Sequence, residues 1–205
     1  MSGSIKLKHA SGNGVIIAAP SSNPAADRTI TLPSTADGTM LTTTNPKAGN
    51  IIQVLQTVKK DTFSMSGSSF VEVTGLTQAI TMTSSSNKVL VTVNVFVASA
   101  TAGADVGIKL RRTTSGSAND DIFIGDASGN RKRITLGGYA GTANYVQEQQ
   151  TISFLEAPGA GTHTYSIVVN NSGSYTIVVN RNGRDDDQVW EPRAVSAITL
   201  MEVAA

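Results

Sequence analysis

Alternation organises this chain. Across residues 88–98, "KVLVTVNVFVA", Val89, Val91, Val93, Val95 and Val97 fall on one side of an extended backbone. Leu90, Thr92, Asn94, Phe96 and Ala98 fall on the other. A period of two without a break is the pattern of a β-strand with one face turned to a core. Shorter runs of the same kind occupy residues 51–58, 70–73, 78–83, 106–112, 151–156, 163–170, 175–181 and 195–203. Between them lie clusters of small and polar residues, "SMSGSS", "TSSSN", "TSGSANDD", "GDASGN", "APGAG", "NNSGS" and "NRNG", each of which reads as a turn. No stretch places apolar groups at i, i+3, i+4 and i+7 over ten or more residues, so no helix is predicted. Short strands separated by turn signals predict an all-β fold, an antiparallel sandwich of jelly-roll type.

The last run differs from the rest. Val195, Ala197, Thr199, Met201 and Val203 share one side, and Ser196, Ile198, Leu200 and Glu202 share the other. Large apolar groups on both sides predict a central strand, with one face in the sandwich core and the other against a further layer or a neighbouring subunit.

The pattern divides near "TTTNPKAGN", giving residues 1–46, a linker at 47–50 and a head at 51–205. The first segment offers Ile5, Leu7, Val15, Ile16, Ile17, Ile30, Leu32, Met40 and Leu41 as its larger apolar groups, with no aromatic residue. A piece of that size is at the limit of roughly 40–50 residues below which a core needs a staple, a metal or a partner. It can be disordered, dock on the head, or complete its core with copies of itself. The alternation in "SIKLKH", "GVIIAA" and "RTITLP" argues against disorder and favours self-association.

Composition narrows the chemistry. With 46 Ser and Thr and only 15% charged residues, the chain has the makeup of strands and turns. The 16 basic and 15 acidic residues leave a net charge of +1, which gives no general attraction to nucleic acid or anionic membrane. Cys is absent, which removes disulfides, thiolate metal sites and thiol nucleophiles. The N-terminus lacks the apolar core of a secretory signal, and residues 89–98 are too short and too polar to span a bilayer as a helix. A soluble protein assembled in a cytoplasm is expected, without membrane insertion.

Few residues invite a site. His9 and His163 stand alone, and each reads as a surface or strand-end histidine. "GDASGN" and "SGNG" lack a following helix and read as hairpin turns, not phosphate loops. In "NGRDDDQ", Asp185, Asp186 and Asp187 offer oxygens to Ca²⁺, but consecutive strand residues diverge and the spacing is not that of an EF-hand. A solvated loop balanced by Arg181 or Arg184 is the favoured reading. "NDD" at 119–121 is weaker still, and the basic "NRKR" at 130–133 lies close to Asp120, Asp121 and Asp126. Tyr139, Tyr145 and Trp190 fall in or beside loops, where with Arg184 they are the candidate surface-binding residues. No cofactor fingerprint, Ser–His–Asp set or carboxylate pair emerges, so neither a cofactor nor catalysis is expected.

The phrase "SIKLKHASGNGVIIAAPSSNPAADRTITLPSTADGTMLTT" resembles a segment of fibre proteins of tailed bacteriophages, especially those of aquatic bacteria and cyanobacteria. Residues 51–205 are similar to a partner domain found behind it, through "IIQVLQTVKKDTFS", "SSFVEVTGLTQAITMTSSSNKVLVTVNV", "TISFLEAPGAGTHTYSIVV" and "SAITLMEVAA". The resemblance implies a virion appendage, usually a homotrimer with a jelly-roll head outlined like tumour-necrosis-factor-type trimers. It also implies attachment to tail, neck or capsid through residues 1–46, and it carries over no binding residues. The expectation is a short fibre that meets the host surface, most naturally a glycan. Its alternative is a decoration or head-fibre protein that stabilises the particle. A glycan depolymerase and a cellular carbohydrate-binding or cytokine-like trimer are the readings from other classes.

Overall fold

The computed structural model describes residues 4–18, 21–22, 46–139 and 143–205. The phrase "RTITLP" lies outside them. The chain divides into two compact units, Met1–Met40 and Leu41–Ala205. In the first, β1 (Ser4–Lys8) and β2 (Gly14–Ala18) form an antiparallel hairpin, pairing Ile5 with Ile17 and Leu7 with Val15. The turn closes with bonds from His9 N to Asn13 O and from Gly12 N to His9 O. His9 sits in that turn and is exposed, as expected. Ile5, Leu7, Val15, Ile16 and Ile17 are all between 49% and 67% exposed.

The second unit holds β3 (Ile51–Lys59), β4 (Phe63–Ser66), β5 (Val71–Thr81), β6 (Lys88–Ser99), β7 (Asp105–Thr114) and β8 (Asn119–Ile122). It continues with β9 (Leu136–Tyr139), β10 (Glu148–Glu156), β11 (Thr162–Asn170), β12 (Thr176–Val179) and β13 (Ser196–Val203). The described residues contain no helix, and so none that is long and apolar enough to cross a membrane. One sheet is built from four rows: β10, β6, β13 end to end with β12, and β3 end to end with β4. The other has β5, β11, β7, and β8 end to end with β9. With rows numbered along the chain, the first sheet runs 1-8-3-6 and the second 2-7-4-5, which is jelly-roll order.

The alternation expected along β6 decides the core. Its five valines point inward, each 1% exposed or less. They meet Ile152, Ile198 and Leu200 of their own sheet and Val73, Leu76, Ile108, Leu110, Ile167 and Val169 of the other. β13 is central, held between β3 and β6. Its Ser196, Ile198, Leu200 and Glu202 are fully buried, while Ala197, Thr199, Met201 and Val203 are half-buried on the far side.

Several expectations need correction. "SMSGSS" is not all turn: Met65 is a buried residue of β4, and the turn starts at Gly67 with φ 103°. The runs 70–73 and 78–83 are one strand, β5, whose register against β11 slips around Gly75, at φ 80°. "NDD" is not turn but β8, because Asp120 and Asp121 stand opposite Arg112 and Arg111 and pair with them at 2.8 Å. His163 is not a surface residue, although it does lie near the start of β11. It is 1% exposed, with Nδ1 3.0 Å from the Thr114 hydroxyl and Nε2 3.3 Å from the Gly159 carbonyl.

Two of the three interrupted rows are broken by long excursions, and both of these breaks use the same device. The chain leaves β8 at Phe123 and β12 at Asn180, non-glycine residues at φ 52° and 62°. A hydroxyl repairs each ladder on return. Thr135 Oγ1 accepts from Leu110 N at 3.0 Å, and Ser196 Oγ accepts from Phe96 N at 3.1 Å. "GDASGN" therefore belongs to a long excursion between two strands of one row and is not a hairpin turn.

Glu202 is a buried carboxylate held without a cation. It accepts from Gln53 Nε2 at 2.6 Å, Thr83 N at 2.8 Å, Thr83 Oγ1 at 2.7 Å and Asn87 Nδ2 at 2.7 Å, tying β13 to β3 and to the β5–β6 turn. Burial raises its pKa, but the bonds from Asn87, Gln53 and Thr83 outweigh that and leave it below the ordinary 4.5. Its stabilising contribution is therefore complete above the ordinary value and is lost as pH falls through the lowered one. Glu202→Gln turns an amide donor toward these donors, so it should cost about 1–3 kcal/mol in a denaturant titration at pH 7. The variant should also lose part of the acid sensitivity of the parent.

Candidate functional site

The second excursion, residues 180–195, carries the exposed groups. Its base is clamped by Asn180, which is fully buried. Asn180 Nδ2 donates to Lys59 O at 2.9 Å and Asp61 O at 3.0 Å, its Oδ1 accepts from Ser196 Oγ at 2.5 Å, and its carbonyl accepts from Ala194 N at 3.1 Å. A side-chain amide suits this place twice, since Asn tolerates positive φ and can satisfy several backbone groups at once. Gly183 follows, against the end of β6. A Cβ there would lie 2.1 Å from Ser99 O, so only glycine lets the two segments approach.

Beyond Gly183 the loop is shaped by charge. The Glu191 side chain is only 1% exposed and is gripped by Arg184, whose Nε donates at 2.7 Å and whose Nη2 also binds it. Asp186 N donates to the other oxygen of Glu191 at 2.9 Å. Burial pushes the Glu191 pKa up, while the bonds from Arg184, Asp186 N and Asn182 pull it below the ordinary glutamate value. Asp185, at φ 58°, bridges Arg193 at 2.6 Å and Arg181 at 3.6 Å, and its N–H donates to Asn182 Oδ1 at 2.9 Å. Asp186 lies 3.8 Å from Arg184. Two of the three acids of "NGRDDDQ", Asp185 and Asp186, are thus matched to guanidinium groups, as the balancing role of Arg181 and Arg184 anticipated. No group of three or more metal-type ligands gathers among the described residues.

A neighbouring loop completes the surface. Asn144 O accepts from Gly183 N at 2.7 Å, and Gln147 Nε2 donates to Pro192 O at 2.6 Å. Between these two ties the Arg184 guanidinium lies 5.4 Å from the centroid of the Tyr145 ring, a cation–π contact. Tyr145 is 60% exposed, Trp190 66% and Val189 95%.

Of the four residues singled out in the sequence, the structure brings two into contact, Tyr145 and Arg184, and places Trp190 on the same loop as Arg184. Tyr145 touches Arg184, and Arg184 grips Glu191, the residue after Trp190. Tyr139 ends β9, and its side chain lies outside the described residues. Sequence reasoning missed Glu191, the hub of the cage, and Asn180, its base. The signal for Asn180 was present in "NRNG", but it read there as an ordinary turn. The loop exposes Val189 and Trp190 and carries the half-exposed guanidinium of Arg193, on a backbone held by several hydrogen bonds. Trp, Tyr and Arg are the side chains that dominate recognition surfaces, because their apolar bodies bind while their polar edges orient.

No protein-family model matches the chain, and no curated protein sequence does. Among solved structures, one of infectious bursal disease virus, Gx strain, aligns at 12% identity and a TM-score of 0.40, over 95% of this chain and 44% of that one. The Gt strain of the same virus aligns at 12% identity and a TM-score of 0.37, over 95% and 48%. The VP2 subviral particle of that virus gives 12% and 0.37, over 94% and 52%. The chain spans about half the length of these proteins. Likeness at this level does not bear on function, and the jelly-roll order rests on strand pairing alone.

Proposed function

We propose that this chain is a structural component of a virion, a short appendage that acts as a homotrimer. Residues 1–46 join it to other virion proteins, and the jelly-roll head presents the Tyr145–Arg184–Trp190 surface to a glycan on the host. It assembles in the host cytoplasm and needs no cofactor, catalytic group or nucleic acid. The resemblance to phage fibres supplies the class. The observation that carries the binding role is Trp190, left 66% exposed on a loop that the Glu191 cage and the Asn180 clamp hold in one shape. A loop that merely connected β12 to β13 would not need such restraint, nor would a decoration protein without a receptor. A pyranose ring has a face of C–H groups that packs on an aromatic ring, and hydroxyls that meet guanidinium and amide edges.

The test is binding of the purified full chain to host cells and to polysaccharide extracted from their surface. Trp190→Ala should weaken binding by about tenfold or more, the usual cost of losing an aromatic anchor, with melting unchanged. Equal binding by the two proteins would overturn the assignment of this surface. Release of reducing ends from the polysaccharide would overturn the non-enzymatic reading.

A further inference from the structure

The two outer faces of the sandwich differ in kind. On the β5–β11–β7–β8 sheet the outer face is charged. Glu72, Lys109, Arg111 and Asp121 lie on it, with Asp121 2.9 Å from Lys109 and 2.8 Å from Arg111. The outer face of the β10–β6–β13–β3 sheet carries no ionisable group over three successive cross-strand rows. The middle row, Gln56–Thr199–Thr92–Ser153, is small and polar. The row on one side, Val54–Met201–Leu90–Leu155, is apolar, and its outer members Val54 and Leu155 are 53% and 48% exposed. The row on the other, Val58–Ala197–Asn94–Thr151, mixes the two.

Several polar groups of this face are already bonded to one another. Gln56 Nε2 donates to Thr199 Oγ1 at 2.8 Å, and Asn94 Oδ1 accepts from Thr151 Oγ1 at 3.0 Å and Gln149 Nε2 at 3.1 Å. Covering such a face orphans fewer buried polar atoms than covering one whose donors all depend on water. Depletion of charge at the centre is also the compositional mark of an interface core.

We infer that this face is where copies of the chain meet, three of them turning it toward a common axis. The inference rests on the trimeric reading proposed above and names its contact surface. Charge matching selects the occupant. A neutral face complements another neutral face, and since the opposite sheet of the head is charged, the matching sheet surface that this chain offers is the same face on another copy. Ala197, Thr199 and Thr92 at its centre leave room for close approach.

Because the chain contains no Cys, single cysteines report cover directly. Gln56→Cys and Ser153→Cys place thiols on the face at positions exposed in one chain, and Ser117→Cys places one in an exposed turn. In the full-length protein, light scattering should give three times the single-chain mass of 21.3 kDa. The two face variants should react with a maleimide at least about tenfold more slowly than Ser117→Cys, as covered sites do. Thr199→Lys should yield single chains with an unchanged circular dichroism spectrum. A trimer whose face cysteines label as fast as Ser117→Cys would overturn this inference while leaving the trimer standing. A single-chain mass would overturn the trimeric reading and the inference together. Slow labelling at single-chain mass would place the cover within the same chain, and would also overturn it.

Discussion

Replacing Leu200 by Ala lowers the unfolding free energy of the head by about 2–5 kcal/mol, the range for a large side chain removed from a packed core. Leu200 is fully buried and stands between Leu55 of β3 and Val91 of β6, in the middle of the eight-row sandwich. Val91 belongs to a row paired on both sides, and Leu55 packs against the same core from the edge row, which limits how far the site can collapse into the space left behind. Ile198, two residues away on the same face, faces Thr57 and Val93 and should behave alike. Met201→Ala, on the half-buried outer face, should cost clearly less in a single chain, since part of that side chain already meets water. Urea titrations of the three variants provide the check. A loss below about 1 kcal/mol for Leu200→Ala would mean that β13 is peripheral and that the core assignment fails.

Deleting residues 1–46 leaves a head that folds but no longer joins the particle. The described hairpin of the first unit buries none of its five large apolar side chains, and a two-stranded hairpin alone is marginal in water. Cover by another surface would stabilise it, which is what the proposed attachment role requires. The head has its own core and its own hydrogen-bonded edge. The cut belongs before Lys47 and not after Asn50, because Gly49 N donates to Ala204 O and Ala204 N donates to Asn50 O, both at 2.9 Å. The truncated protein should unfold cooperatively and be missing from purified particles. Insoluble protein, or normal incorporation, would contradict this division of labour.

What could be read in the residues depended on length and on whether a strand faces apolar or charged neighbours. β6, β7, β10, β11 and β13 announce themselves because five or more residues alternate against a core. β4, β8 and β9 did not, being four residues each and lacking the aliphatic run that marks the equally short β12. β8 is held by Asp120 and Asp121 against Arg112 and Arg111, a cross-strand pairing that no local pattern displays. The candidate site was legible as residue types. Trp190, Tyr145 and Arg184 stood out because aromatics are scarce here and the loops are rich in charge. That Arg184 would close on Glu191 while stacking over Tyr145 was not legible, since it depends on two loops brought together by the bond from Gly183 N to Asn144 O. That His163, a strand-end residue as expected, would be buried was not legible for a related reason: the inward side of β11 is decided by its partners β5 and β7, not by the residue itself.

The central claim is that this chain belongs to a particle and turns its head outward. Immunogold electron microscopy of purified particles, with antibodies raised against residues 47–205, tests it most directly. The account predicts gold on the outside of intact particles, clustered at an appendage and abolished by deletion of residues 1–46. Particles free of label, together with absence of the chain from their protein content, would contradict it.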